Sequence, residues 1–139
     1  MTIDARLIAP CGMNCAICYA YIRERNRCDG CRGDDTHKQV SCRECSITRC
    51  ELRKATKSGF CYECPKFPCR RLKDLDRRYR TKYGMSMLEN LAFIRDNGLD
   101  AFAKKERDRW RCSECGGTIC VHRWSCPTCG APRQDPGAQ

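Results

Sequence analysis

Apolar positions follow a helical period only in the middle of the chain. From Cys69 to Tyr83, Leu72, Leu75, Tyr79 and Tyr83 recur at i, i+3, i+7 and i+11, one narrow stripe on an otherwise charged segment. This predicts a helix with Pro68 in its first turn and Gly84 at its end. "SMLE", Ser86 to Glu89, has the S-x-x-E form of a capping box. It opens a second helix with Met87, Leu88, Leu91 and Ile94 inward and Gly98 at its close. A third is expected from roughly Asp100 to Trp110, burying Phe102, Ala103 and Trp110. On the N-terminal side the pattern is shorter. "AICYAYIRERNR" (16–27) suits about three helical turns with Ile17, Ala20 and Tyr21 inward. "SITRCELRKATKSG" (46–59) suits another helix, with Ser46 as N-cap and Gly59 at C′. Near the C-terminus "TICVHRW" is β-branched and aromatic, as a short hairpin requires.

Cysteine changes this picture. Sixteen of the 139 residues are cysteine, so cross-links belong to the fold. Eleven lie within residues 1–70, none within 71–109 and five within 110–130. The expected organisation is a cysteine-rich module over 1–70, a helical segment over 71–109, a ribbon-like module over 110–131 and a disordered polar tail over 132–139. The start "MTIDARLIAP" lacks the basic and apolar regions of an export signal, and no apolar run is long enough to span a membrane. The expectation is therefore a cytoplasmic chain whose cysteines bind metal rather than form disulfides.

Spacing supports this. Cys15/Cys18, Cys28/Cys31, Cys42/Cys45, Cys61/Cys64, Cys112/Cys115 and Cys126/Cys129 all have the C-x2-C form, in which a tight turn aims two thiolates at one ion. The clearest set is Cys112, Cys115, Cys126 and Cys129. Both of its pairs are followed by glycine, which readily takes the positive φ a knuckle needs. Four thiolates fill a tetrahedral shell, the signature of a closed structural zinc ribbon. Cys120 and His122 lie inside the same loop; Cys120 is expected in the ribbon's small core and His122 at its surface. Pairing adjacent knuckles joins Cys15/Cys18 to Cys28/Cys31 and Cys42/Cys45 to Cys61/Cys64. Cys11, Cys50 and Cys69 remain, and His37 would complete a third site with them. Interleaved pairings fit the spacing equally well. Cys42, Cys45 and Cys50 also repeat the C-x2-C-x4-C form of Cys61, Cys64 and Cys69. The expected fold class is small, metal-stabilised and mainly α with short β-hairpins, made of zinc knuckles and a C-terminal zinc ribbon. It would hold about three to four zinc ions, an iron–sulfur cluster being the alternative at the N-terminal sites.

Cys11, Cys15 and Cys18 also have the C-x3-C-x2-C spacing of radical enzymes that use S-adenosylmethionine. Those need a barrel of alternating strands and helices, and no such alternation follows here. The formal charge of +10 invites a nucleic-acid reading. Yet four zinc–tetrathiolate centres would each carry about −2 and leave roughly +2. Only a local patch can carry such binding, and the candidates are Arg70, Arg71, Arg77, Arg78, Arg80, Lys104 and Lys105. Trp110 and Trp124 would offer stacking faces beside them. The competing role for these cations is to offset nearby thiolates.

The stretches "APCGMNCAICYAY", "CDGCRG", "FCYECPKFPCRRLKDLDRRYRTKYGMSMLENL" and "WRCSECGGTICVH…CPTCG" together resemble the prokaryotic cysteine-rich family known as DUF3795. The resemblance runs to about residue 130 and is most specific from Phe60 to Leu91. It implies an intracellular bacterial or archaeal protein, often of anaerobes, and no established activity. Three function classes remain. The first is a zinc-stabilised module that binds protein or nucleic acid. The second is an iron–sulfur or thiol-based redox sensor, for which Cys11, Cys50, Cys69 and Cys120 would supply spare thiols. The third is an enzyme, to which no catalytic residue points. The oligomeric state is not encoded in any pattern found.

Overall fold

The structure is a computed structural model that describes residues 5–23, 25–33, 36–38, 42, 45–47 and 49–133. The expected tail beyond Arg133 lies outside them. Helices dominate: α1 (Tyr19–Ile22), α2 (Glu51–Lys54), α3 (Arg70–Tyr83), α4 (Met87–Asn97) and α5 (Leu99–Arg109), with single 3₁₀ turns at Ala5–Leu7, Cys15–Ile17 and Cys61–Glu63. Extended pairing among the described residues is limited to isolated antiparallel bridges, Ile8 with Asn14, Arg111 with Thr118 and Ser125 with Pro132.

The central helices form where periodicity and caps place them. Gly84 takes a left-handed conformation and its N–H donates to Tyr79 O, closing α3. Ser86 caps α4, its hydroxyl accepting from Glu89 N at 3.1 Å. Gly98 ends α4 and precedes α5. Leu72 is fully buried, and Leu75, Tyr79 and Tyr83 pack partly buried against the core. Asp76 breaks the apolar pattern yet is buried, because its carboxylate accepts from Ser86 Oγ at 2.6 Å and Leu88 N at 3.1 Å while pairing with Arg80 at 3.6 Å. It joins α3 to the start of α4, and a buried carboxylate with such partners is not an unpaired charge.

The two N-terminal helices are far shorter than periodicity predicts. After the 3₁₀ turn at Cys15–Ile17, α1 makes one turn; Ile17 and Ala20 are buried as expected. The chain then turns away, with Asn26 at φ 51°. In the second case Ser46 lies in a turn, and the helix begins only after Cys50, which is extended. An extended residue cannot continue an α-helix. Both third cysteines of the C-x2-C-x4-C repeat do share one local role: Cys50 precedes α2 and Cys69 precedes α3 as N-cap residues.

One set of buried side chains runs through all three parts. Ile8, Ile17 and Phe60 come from the N-terminal part, Leu72, Leu91 and Phe102 from the helices, and Ile119 and Val121 from the C-terminal part. Main-chain bonds tie the ends together: Cys61 N donates to Pro10 O at 3.1 Å, and Val121 N to Ile17 O at 2.8 Å.

Glu106 on α5 is fully buried in this core. Burial pushes its carboxyl above the usual range, and the charges of Arg109 and Lys105 with the donors of Asn14 and Trp110 offset this only in part. The folded state therefore holds its proton more tightly than the unfolded chain does. Its contribution to stability is greatest in acid and is lost as pH rises past the ordinary carboxyl value of about 4.3. In matched denaturation series with saturating metal, wild type is expected to gain stability relative to Glu106→Gln as pH falls from about 8 toward that value. A constant difference between the two proteins would refute this.

Candidate metal centres

The C-terminal candidate site is built by two C-x2-C turns with the same backbone plan. Cys112 N donates to Gly117 O at 2.8 Å and Gly116 N to Cys112 O at 2.9 Å. In the second turn Cys126 N donates to Ala131 O at 2.8 Å and Gly130 N to Cys126 O at 2.9 Å. Gly116 at φ 76° and Gly130 at φ 77° take the left-handed conformation that lets each turn close after its second sulfur. The bridges Arg111–Thr118 and Ser125–Pro132 close the two turns, so extended pairing flanks each turn; "TICVHRW" forms no hairpin with itself, its Thr118 pairing with Arg111 instead.

The four sulfurs of Cys112, Cys115, Cys126 and Cys129 all lie within 4.8 Å of one another. Cys112 and Cys129 are 3.7 Å apart, as are Cys115 and Cys126. A tetrahedral ion with metal–sulfur bonds of about 2.3 Å sets its sulfurs about 3.8 Å apart. The set thus has the size of a single-ion shell. Burial raises the Cys126 thiol, but the N–H groups of Cys129 and Thr128 and the sulfurs of Cys115 and Cys112 bring it down to about 6. At Cys115 the Gly117 N–H lowers the thiol, while burial and the three other sulfurs push it up to about 12. Crowded thiols compete for few protons, and a dication resolves that conflict by displacing them.

Cys120 is fully buried and stands outside this set, as expected. His122 is more than a surface residue. Its Nδ1 accepts from Tyr19 N at 3.3 Å, which leaves the proton on Nε2 to donate to Tyr79 Oη at 2.9 Å. The ring packs edge-on against Tyr79 and Tyr83. Burial, with Arg123 and Arg133 nearby, lowers its pKa. His122 therefore pins the C-terminal part to α1 and α3 and has both nitrogens engaged.

The eleven N-terminal cysteines line two cavities. Cys50, Cys61, Cys64 and Cys69 line one of about 20 Å³ beside Arg53 and Arg71, about the room one small ion or water needs. The Cys50 side chain makes no cap hydrogen bond of ordinary geometry. The N–H groups of Arg53 and Leu52 still hold its thiol below the usual value against burial, and Arg71 Nη2 adds to this at 3.9 Å. Burial pushes the Cys61 thiol up to about 12, with Cys69, Cys50 and Cys64 among its electrostatic neighbours.

The other seven, Cys11, Cys15, Cys18, Cys28, Cys31, Cys42 and Cys45, line a chamber of about 470 Å³. Cys15 and Cys31 are 3.5 Å apart, and Cys31 N donates to Cys15 Sγ at 3.4 Å. The Cys15 sulfur, burial and Cys45 hold the Cys31 thiol far above its ordinary value. Burial and then Cys31 raise Cys11, with Cys61 and Cys45 also acting on it and the Met13 N–H opposing them. Burial raises Cys18 to about 11, and its sulfur neighbours are Cys42 and Cys28. Cys15 and Cys31 are the pair in sulfur–sulfur contact, and, among the described residues, no three of the seven sulfurs lie within 4.8 Å of one another. No disulfide joins any of the sixteen cysteines.

This arrangement departs from the expected pairings. Cys15/Cys18 and Cys28/Cys31 do share a chamber, but Cys42/Cys45 join them there, and Cys61/Cys64 lie instead with Cys50 and Cys69. The third site does not assemble: Cys11 lines the chamber, Cys50 and Cys69 the small cavity, and His37 is exposed. Among the described residues, the C-terminal four are the set whose sulfurs approach within 4.8 Å.

The basic residues divide as well. Arg71 and Arg78 line the thiol cavities, Arg80 pairs with Asp76 and Arg77 with Asp74 at 3.2 Å, and Lys105 lies over the Phe93 ring at 4.3 Å. Arg70 and Lys104 are exposed. Trp110 is buried and offers no stacking face. Trp124 is 55% exposed, with the Arg133 guanidinium over its ring at 4.3 Å.

Residues 7–74 match the model of a family described as a protein of unknown function, DUF3795. The match spans all eleven N-terminal cysteines and the start of α3, and the C-terminal centre lies outside it. No curated protein and no solved structure matches the chain. No described helix is long and apolar enough to cross a membrane.

Proposed function

We propose that this chain is a multi-site zinc–thiolate protein in which the ions hold a scaffold that binds an acidic partner. The carrying observation is the C-terminal set of four sulfurs at single-ion spacing. Cys112, Cys115, Cys126 and Cys129 would hold a zinc ion there, and Cys50, Cys61, Cys64 and Cys69 a second. Four thiolates close each shell, so the ion supplies folding energy rather than an open position for substrate. Such thiols persist in a reducing compartment, and the reading takes the chain to work in the cytoplasm. Arg70, Lys104 and the outer sides of Arg77 and Arg80 form the surface left for the partner, protein or nucleic acid. Arg71 and Arg78 serve the thiolates instead.

The test is anaerobic purification of the full chain after growth with both zinc and iron, followed by metal and sulfide analysis and an absorption spectrum. The expected product is colourless, holds about three to four zinc ions and loses the C-terminal ion in Cys129→Ser. Brown protein carrying iron and sulfide would overturn zinc and favour the redox reading. Partner binding is read separately. Affinity for a nucleic-acid or acidic-peptide probe should fall steeply with added salt and weaken uniformly in Arg70→Ala; salt-independent binding would exclude this surface.

A further inference from the structure

We infer that the seven-thiol chamber holds a binuclear centre, two divalent cations of the zinc class joined by one bridging thiolate. The inference rests on the metal–thiolate reading above and goes beyond it in nuclearity and composition. It starts from a count. Two separate tetrahedral ions need eight donors, and the chamber offers seven sulfurs. When one thiolate serves both ions, the eight bonds are made by seven sulfurs with none left over. Cys15 and Cys31, 3.5 Å apart, are the pair already in contact, and the five other cysteines line the same chamber around them.

Space and charge agree too. At about 470 Å³ the chamber is far larger than the 20 Å³ cavity that suits one ion. Two dications and seven thiolates carry a net charge of about −3, which a buried site must neutralise. The basic groups at hand are Arg71 and Arg78 on the chamber wall, and Lys38, buried and donating to Cys31 O at 3.0 Å. Arg32 also lies within electrostatic reach of Cys31, Cys15 and Cys11. The acid on the wall, Asp74, is paired with Arg77. A mononuclear tetrathiolate or a four-iron cluster would take four of the sulfurs and leave three thiols unused.

The full chain reconstituted anaerobically with cadmium-113 tests this without any substitution. Native mass spectrometry should count four cadmium ions. The cadmium spectrum should show four resonances, two of them split by scalar coupling to each other through the shared sulfur. Cys129→Ser and Cys64→Ser should each remove one unsplit resonance and leave the coupled pair. Three ions per chain, or four without a coupled pair, would overturn the binuclear centre while leaving the other metal sites standing. If no cadmium binds anywhere, the metal-binding reading itself fails. Iron and inorganic sulfide in the chamber of protein isolated from cells supplied with both metals would also overturn it.

Discussion

Removing the metal under reducing conditions is expected to unfold both ends of this protein. A structural zinc in a small module contributes about 10–16 kcal/mol of apparent binding free energy, as much as or more than the roughly 5–15 kcal/mol by which a typical domain is stable. The N-terminal part buries Ile8, Met13, Ile17 and Phe60 in the shared core but has little regular structure of its own. Its described helices are single turns, and isolated helices that short do not persist in water. The C-terminal part has isolated bridges and a few buried side chains, Ile119 and Val121 among them. A strong chelator with a phosphine reductant should collapse the amide spectrum of residues 7–69 and 111–133. Trp110 should become exposed, since its carbonyl accepts from Ile119 N at 2.7 Å and its ring stacks with Arg133 at 4.9 Å. Helices α3 to α5 would retain part of the far-ultraviolet signal. Zinc should restore the spectrum. Unchanged amide dispersion and melting temperature after verified metal loss would refute metal as the organiser of the fold.

Gly12→Ala is expected to be among the most damaging single substitutions away from the sulfurs. Gly12 sits at φ +93°, and a Cβ there would lie 2.9 Å from Met87 O and 3.0 Å from Leu91 Cγ. Met87 and Leu91 are buried residues of α4, and a helix carbonyl cannot move aside cheaply. The left-handed conformation costs a residue with a side chain about 1–2 kcal/mol, and overpacking typically costs a further 1–3 kcal/mol. The Gly12 carbonyl also accepts from the buried Asn90 Nδ2 at 2.9 Å, so displacement would strand that donor. Denaturant titration with saturating zinc should show a loss of about 2–5 kcal/mol. Because Cys11 and Met13 flank this contact and line the seven-thiol chamber, metal occupancy there should fall while the C-terminal ion stays bound. A loss under about 1 kcal/mol with full occupancy would show that α4 yields more readily than its packing implies.

Local signals in the chain were enough for α3, α4 and α5, their glycine and serine caps, and the clustering of the four C-terminal cysteines. In each case the deciding contacts are close in sequence: Ser86 reaches Glu89, Gly84 reaches Tyr79, and the two C-x2-C pairs lie ten residues apart, with Cys120 and His122 between them engaged elsewhere. Tertiary structure alone divided the eleven N-terminal thiols into seven and four and set Arg71 and Arg78 on the walls of the cavities they line. It also put Glu106 and Asp76 inside and made His122 a fastening between distant parts. C-x2-C spacing says that two sulfurs can face one ion; it carries no information about which other pair arrives there, since loop closure discriminates weakly among loops of similar length. The helices predicted around Tyr21 and Ser46 failed for the same reason, as local propensity gave way to long-range placement of cysteines such as Cys28 and Cys50.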